Sequence, residues 1–324
     1  LFKLIIHIES IVRTYGAPMP YRPTHRQLEY LVSLVEKEHF GAAARACNVS
    51  QPTLSTQIKL LEDQLGAPLF ERGPGTIRPT PTGAAIVPIA RSVLSMLDEI
   101  VEHANHHTGN LGRLVRMGVA PTFGPYFMPL LLPGLHERYP QLEIYIREER
   151  PAALETALAE GTLDCIVTPG PLGDTRLERM EICTERLWLG FAREHPLATS
   201  STIEASMLNG EKLMTLGRGH RLYDHVQRLC SETGAELRED YEGTSLDALR
   251  QMVSIGMGLS LFPDLYARSE AVRDGRVVLR ELDDWKLSRT ILFAWRGDSA
   301  RKDHFRTIGI EAEKAAAAAF GPDN

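Results

Sequence analysis

The stretch from Ser50 to Gly66 leaves this chain the fewest structural choices. Leu54, Ile58, Leu61 and Leu65 recur at intervals of four, three and four, which lines them along one face of a helix. Ser50 is a natural N-cap, and Pro52 falls in the first turn, where a missing N–H costs nothing. Gly66 supplies the stop. The remaining face carries Gln51, Thr53, Ser55, Thr56 and Lys59. A helix divided in this way must bury its apolar side, and two partners precede it. Arg26 to Glu38 carries Leu28, Leu31, Val32, Leu34 and Val35 at mostly helical spacing. Phe40 to Cys47 is rich in alanine, and small side chains permit close approach. Asn48-Val49-Ser50 is the turn between the second helix and the third.

Two helices, a tight turn and a polar-faced third helix make a helix-turn-helix; a plain three-helix bundle with a solvated face fits the same pattern. In the first case the third helix enters the major groove of double-stranded DNA, its N-terminal residues against base edges. Ser50, Gln51, Pro52, Thr53, Ser55 and Thr56 would then face the bases, with Lys59 and Arg45 on phosphates. Leu69 to Arg72 and Arg78 to Thr80 flank Gly73-Pro74-Gly75, which reads as a hairpin wing placing Arg72 and Arg78 beside the DNA backbone. Charge is compatible with this. The whole chain of 324 residues carries 36 basic and 42 acidic side chains, yet residues 21–83 hold 7 basic against 6 acidic. The acidic excess thus lies elsewhere.

Thr82 is the expected cap of a further helix reaching about His106. Ile86, Ile89, Val93, Leu97, Ile100 and Ala104 form a narrow apolar seam on it, close to that of a coiled coil. An amphipathic helix packed on its own domain has the same pattern. Pro88 marks a local kink. His103, His106 and His107 have no cysteine or carboxylate at ligand spacing, so no metal site is read from them.

Beyond Gly109 to Gly112, a Gly-bearing hinge, strands and helices alternate. Leu114–Val119, Leu142–Ile146 and Leu163–Val167 read as strands, with helices over Tyr126–Tyr139 and Ala152–Glu160 between them. This order implies an α/β architecture with parallel strands. Arg186 to Ala192 breaks towards a second unit, with helices near Leu222–Glu232 and Ser245–Ile255 and a strand over Gly258–Pro263. Ser288–Trp295 is a late strand, and Ala300–Phe320 a final helix. A chain that leaves one unit, builds another and returns makes two lobes joined by crossing strands, with a ligand cleft at the strand ends. Thr122 and Thr168 sit at such ends, Ser245 opens a helix, and Arg218, His220 and Arg221 surround the start of another. Hydroxyls, helix-end N–H groups and guanidinium forks suit a small anionic effector. The alternative is that the hydroxyls only cap helices and the arginines are solvated.

The motifs also resemble one family. Gln27-Leu28-Glu29-Tyr30-Leu31, Phe40-x-x-Ala43-Ala44 and Val49-Ser50-Gln51-Pro52-Thr53-Leu54-Ser55-x-Gln57-Ile58 resemble the LysR-type transcriptional regulators. So do Leu61-Glu62-x-x-Leu65-Gly66-x-x-Leu69-Phe70-x-Arg72 and Thr80-x-Thr82-Gly83. The resemblance implies a winged helix-turn-helix over 24–82, a linker and dimerisation helix over 83–108, and a two-lobed periplasmic-binding-protein-like effector domain over 112–318. Its first lobe would hold 112–187 and 286–318, its second 188–285. It also implies a dimer or tetramer of the chain and contacts with RNA polymerase.

Pro121-Thr122-x-Gly124-Pro125-Tyr126, Gly161-x-Leu163-Asp164-Cys165, Gly219-His220 and Thr244-Ser245-Leu246 look most like the OxyR-like, peroxide-sensing branch. That branch oxidises a cysteine directly after the Gly-His pair and a second one nine residues on. This sequence has Arg221 at the first position and Cys230 at the second. An arginine supplies no thiolate, so the peroxide mechanism is not carried over. Cys47 and Cys165 read as packing thiols; Cys183 and Cys230 remain the redox candidates.

Other classes fit poorly. No run of about 18 apolar residues spans a membrane. No phosphate loop, zinc spacing or Ser-His-Asp order points to an enzyme, and no cofactor is expected. Residues 1–23 are expected to be an extension, with Met19 just ahead of the first patterned helix and no clear secretory signal. The expected compartment is therefore the reducing cytoplasm, which also argues against an exported solute receptor.

Overall fold

The structure, a computed structural model, describes residues 22–72, 77–105, 114–238, 240–243, 245–271, 275–299 and 301–321. The expected N-terminal extension, the wing tip at Gly73-Pro74-Gly75, His106 and His107, the Gly109–Gly112 hinge and Thr244 lie outside the described residues, as do the side chains of Arg72, His103 and Ala104. The chain divides into two compact units at Leu97 and Asp98.

In the first unit, α1 (His25–Lys37) opens with a capping box in which Thr24 and Gln27 satisfy one another's backbone N–H. His39 caps α2 (Phe40–Ala46), its Nδ1 accepting from Gly41 and Ala42. Ser50 caps α3 (Gln51–Leu65), its Oγ accepting from the Thr53 N–H at 3.3 Å, and Gly66 ends it with φ 69°. Leu54, Ile58 and Leu61 are fully buried against Leu31, Leu34 and Ala43. The apolar stripe read from the sequence is therefore the core of the unit.

The wing is β1 (Phe70–Arg72) antiparallel to β2 (Ile77–Pro79). Glu62, buried on α3, fastens it: Oε1 accepts the N–H of Leu69 at 2.8 Å and of Phe70 at 3.2 Å. The helix α4 (Pro81–Asn105) comes next. Its cap is Thr80 rather than the expected Thr82: Thr80 Oγ1 accepts the Gly83 N–H at 3.0 Å and donates to the Pro68 carbonyl at 2.7 Å. Pro81 takes the first helical position, where its fixed φ is favourable, so the start shifts back by two residues. Gly83 is required by close approach, since a Cβ there would lie 2.1 Å from the Leu69 carbonyl oxygen.

The α4 seam divides. Ile86 and Val93 pack into the unit's own core beside buried Val87 and Ala90, while Ile89, Leu97 and Ile100 stay exposed, Ile89 and Ile100 by more than 60%. No helix among the described residues is long and apolar enough to cross a membrane.

The second unit is built on one curled sheet. The strand β3 (Leu114–Val119) pairs in parallel with β4 (Glu143–Glu148) and β5 (Cys165–Pro169), with α5 (Gly124–Arg138) and α6 (Pro151–Ala159) as the connections. The alternation read from the sequence is present. The sequence reading missed the length of β6 (Leu177–Ala192), a single strand of 16 residues. Its first part pairs antiparallel with β11 (Ser288–Arg296). Its second part, from Leu187, pairs with β9 (Ser260–Pro263) and β10 (Val277–Arg280). Glu178, Arg179, Glu181 and Glu185 dilute the apolar signal of the first part, although its side chains alternate between core and solvent.

Each lobe has its own main core. One gathers Val119, Phe123, Phe293 and Phe305 with α9 (Lys302–Phe320); the other gathers Leu189, Phe191, Leu222 and Phe262 around α7 (Arg221–Thr233) and α8 (Leu246–Ser254). A third cluster, with Leu154, Leu158, Leu163 and Ile166, lies under α6. A short parallel pair, β7 (Lys212–Leu213) with β8 (Glu236–Leu237), edges the second core and is too brief for any periodicity to announce it.

The cap assignment is testable by denaturant unfolding. Thr80→Ala should cost about 1 kcal/mol through the lost cap. Thr82→Ala should cost less than half of that. Equal costs would place the cap elsewhere.

Candidate functional site

The first candidate surface is on α3. Ser50, Gln51, Pro52, Thr53, Ser55, Thr56 and Lys59 are all exposed, because helical spacing turns them away from Leu54, Ile58 and Leu61. Arg45 on α2 and Arg78 on β2 are exposed too. None of these three cations has an ion-pair partner among the described residues. Two neighbours are less available. The Ser50 and Thr53 hydroxyls lie 2.7 Å apart, and half-buried Gln57 accepts from Gln27 at 3.4 Å. A polar row flanked by unpaired cations offers hydrogen bonds along its middle and charge at its edges, which is the layout that base edges and phosphates require.

The second candidate region lies where the two cores meet. Thr122 is buried, and its hydroxyl and carbonyl each accept from Arg289 at 2.8 Å. Arg289 also bonds Glu185 through Nε at 2.8 Å, with both side chains wholly buried. Glu185 in turn accepts the Leu265 N–H at 3.0 Å. Thr122 is thus the acceptor of a structural arginine. Thr168 is fully buried in β5, its hydroxyl 3.4 Å from the Pro169 carbonyl. Ser245 is exposed and spends its Oγ on the Ala248 N–H at 3.2 Å. Arg218 is exposed over the Tyr223 ring. His220 is buried, and burial followed by the nearby Arg150 charge lowers its pKa, so it is neutral near pH 7.

Arg221 opens α7 and reaches out of its own lobe. It donates to the Pro171 carbonyl beyond β5 and lies 3.6 Å from Glu155 on α6 and 3.7 Å from Asp224. Arg221 and Arg289 line one cavity of about 550 Å³ together with Arg179, Arg228 and His225. Thr122 touches that cavity through Arg289. Thr168, Arg218, His220 and Ser245 do not line it. Of the groups that do, the sequence reading found only Arg221. A signal for Arg289 existed: it is a charged residue inside the apolar run from Leu287 to Trp295. Arg179 and Arg228 carried none.

Burial raises the pKa of three of the thiols. All four cysteines are free. Burial pushes Cys230 up to about 11, and burial with the Glu185 charge pushes Cys183 up to about 12. Cys165 is driven well above its ordinary value, chiefly by burial. At neutral pH only about one Cys230 in ten thousand is a thiolate. Cys183 and Cys230 also pack into different cores.

Comparison with known proteins accords with this layout. Residues 25–84 match the family described as bacterial regulatory helix-turn-helix protein, lysR family, and residues 108–308 match the LysR substrate binding domain. The DNA-binding transcriptional dual regulator OxyR of Escherichia coli is 38% identical over 283 residues, covering 87% of this chain and 92% of that protein. A hydrogen peroxide-inducible genes activator of Haemophilus influenzae is 35% identical, covering 87% and 94%. Among solved structures, a full-length OxyR variant of Pseudomonas aeruginosa superposes with a TM-score of 0.77 at 32% identity, covering 90% of this chain and 98% of that one.

The Arg289–Glu185 pair generates a stability prediction. Removing one partner strands the other charge in the core, so Arg289→Ala should destabilise the second unit by about 3–5 kcal/mol. The joint replacement Glu185→Met with Arg289→Met should cost distinctly less, as read from the denaturation midpoint.

Proposed function

The chain belongs to the LysR family of DNA-binding transcriptional regulators, and on that premise we propose that α3 reads operator bases and that a small anion held by the second unit sets the regulator's activity. Gln51 and Thr53, with Ser50, Pro52, Ser55 and Thr56 beside them, meet base edges; Lys59, Arg45, Arg72 and Arg78 meet phosphates. The exposed residues of α4 pair with a second copy, which sets two reading helices about one DNA turn or a multiple apart. Residues 24–82, 83–108 and 112–318 divide these tasks, and contact with RNA polymerase completes the regulator. The observation that carries the reading is the solvent-facing row from Gln51 to Lys59, opposite the buried Leu54–Ile58–Leu61 stripe.

A second reading makes the trigger oxidation of Cys183 or Cys230. What favours it is the name of relatives such as the Haemophilus influenzae hydrogen peroxide-inducible genes activator. Against it stand Arg221 at the position of the reactive cysteine and thiols held protonated by burial.

Selection from random DNA should return half-sites with dyad symmetry, bound with steep salt dependence. Lys59→Ala should weaken binding to every sequence and lower the salt slope by about 1. Gln51→Ala should relax preference at one base position by about 1–3 kcal/mol. Unchanged binding in both variants would mean that the α3 face is merely solvated. With Cys183→Ser and Cys230→Ser combined, footprints taken with and without hydrogen peroxide should match those of the unmodified chain. A peroxide response lost in that variant establishes the second reading.

A further inference from the structure

The cavity between α7 and the strands of the other lobe gathers more positive charge than the protein itself uses. Four guanidinium groups line it, and the wall carries a single carboxylate, that of largely exposed Asp224. Arg289 is spent, all its contacts going to Glu185 and Thr122. The others are not. The side chain of Arg179, exposed on β6, has no hydrogen-bond or ion-pair partner among the described residues. Arg228 has only Glu232, one turn along α7 at 4.0 Å, with both side chains more than half exposed. Arg221 is engaged only in part: it reaches the Pro171 carbonyl, Glu155 and Asp224, while its Nε is buried without an acceptor. Glu185, Glu155, Asp224 and Glu232 offset part of this charge, and an anion entering the cavity would offset the remainder.

We propose that this cavity binds an organic dianion, a dicarboxylate or a phosphate monoester, through Arg179, Arg221 and Arg228. The assignment rests on the effector reading above and places that effector. Pro171, Leu172 and Leu292 give the cavity an apolar wall, which favours a carbon framework over a bare inorganic ion. Two charges are favoured by the number of guanidinium groups on the wall. Arg221 and Arg228 are seven residues apart on α7, about 10 Å along the axis, and Arg179 comes from a strand of the other lobe. Guanidinium forks take carboxylate or phosphate oxygens two at a time.

The ligand would also bridge the lobes, since Arg228 belongs to α7 and Arg179 to the first part of β6. His225 on the cavity wall is a built-in reporter. Burial, then Arg289 and Arg228, hold its pKa near 4, with Asp224 opposing. A bound dianion opposes the guanidinium part of that shift and so raises the value, while the part due to burial remains.

The test is calorimetry on the full chain with adipate and with glycerol 3-phosphate as separate probes, beside NMR titration of His225. At least one probe should bind one-to-one, and His225 should titrate at higher pH in its presence. Which probe binds distinguishes dicarboxylate from phosphate chemistry. Arg179→Ala with Arg228→Ala removes two exposed side chains and should weaken that binding at least tenfold with the melting temperature unchanged. Binding by neither probe, or equal binding by the double variant, overturns the site. Operator footprints separate this proposal from the one beneath it. A probe-dependent footprint that survives in the double variant keeps an anionic effector and overturns this cavity. Binding lost in the double variant, beside a footprint that never responds, keeps the cavity and overturns its effector role.

Discussion

The second unit turns on a buried ion pair at the point where two strands change cores. Arg289 and Glu185 face one another directly across β11 and β6. Two residues further along, at Leu187, β6 leaves β11 for β9 and β10. Both charges are fully buried, so each would carry a desolvation penalty of several kcal/mol if left alone. The structure offsets it by directing every remaining hydrogen bond to a defined group: Thr122 beyond β3 takes two, and the Leu265 N–H gives one. The pair thereby joins the end of β3, both crossing strands and the segment after β9. In the observed register both charges find their partners, Arg289 opposite Glu185.

That anchored crossing gives the lobes a common frame, and it is against this frame that Arg221 reaches from α7 to Pro171 and Glu155. The resemblance to the peroxide-sensing branch implies a cysteine at this position, where the chain has Arg221. An arginine is permanently charged and cannot be oxidised in that way, but it is well suited to a carboxylate or phosphate. The thiols of Cys165, Cys183 and Cys230 lie where burial holds them protonated. Under the proposed effector reading, Arg221 gives the site charge recognition in place of thiol chemistry. A ligand that contacts both lobes changes the balance between their arrangements only by binding one arrangement more tightly, and a bridging anion meets that condition.

The first unit solves a simpler problem. Its apolar stripe, caps and stops are all local, and α3 would be recognisable in any sequence with the same spacing. The wing and α4 depend more on distant groups. Thr82 has a good cap residue's side chain, yet Thr80 caps α4, because Pro81 is suited to the first helical position and the Pro68 carbonyl waits for the Thr80 hydroxyl. The α4 seam, uniform in sequence, splits between the unit's own core and solvent once the neighbouring helices are in place.

Sequence alone determined the helix-turn-helix, the strand–helix alternation of the second unit and the presence of an arginine directly after Gly219-His220, because period, capping chemistry and residue type are properties of short segments. Tertiary structure decided that β6 is one strand serving two cores, that Thr122 answers to Arg289, and that Arg179, Arg221 and Arg228 share a cavity. Those facts depend on residues separated by tens of positions meeting across a sheet, and no local pattern records which distant charge a buried guanidinium will face.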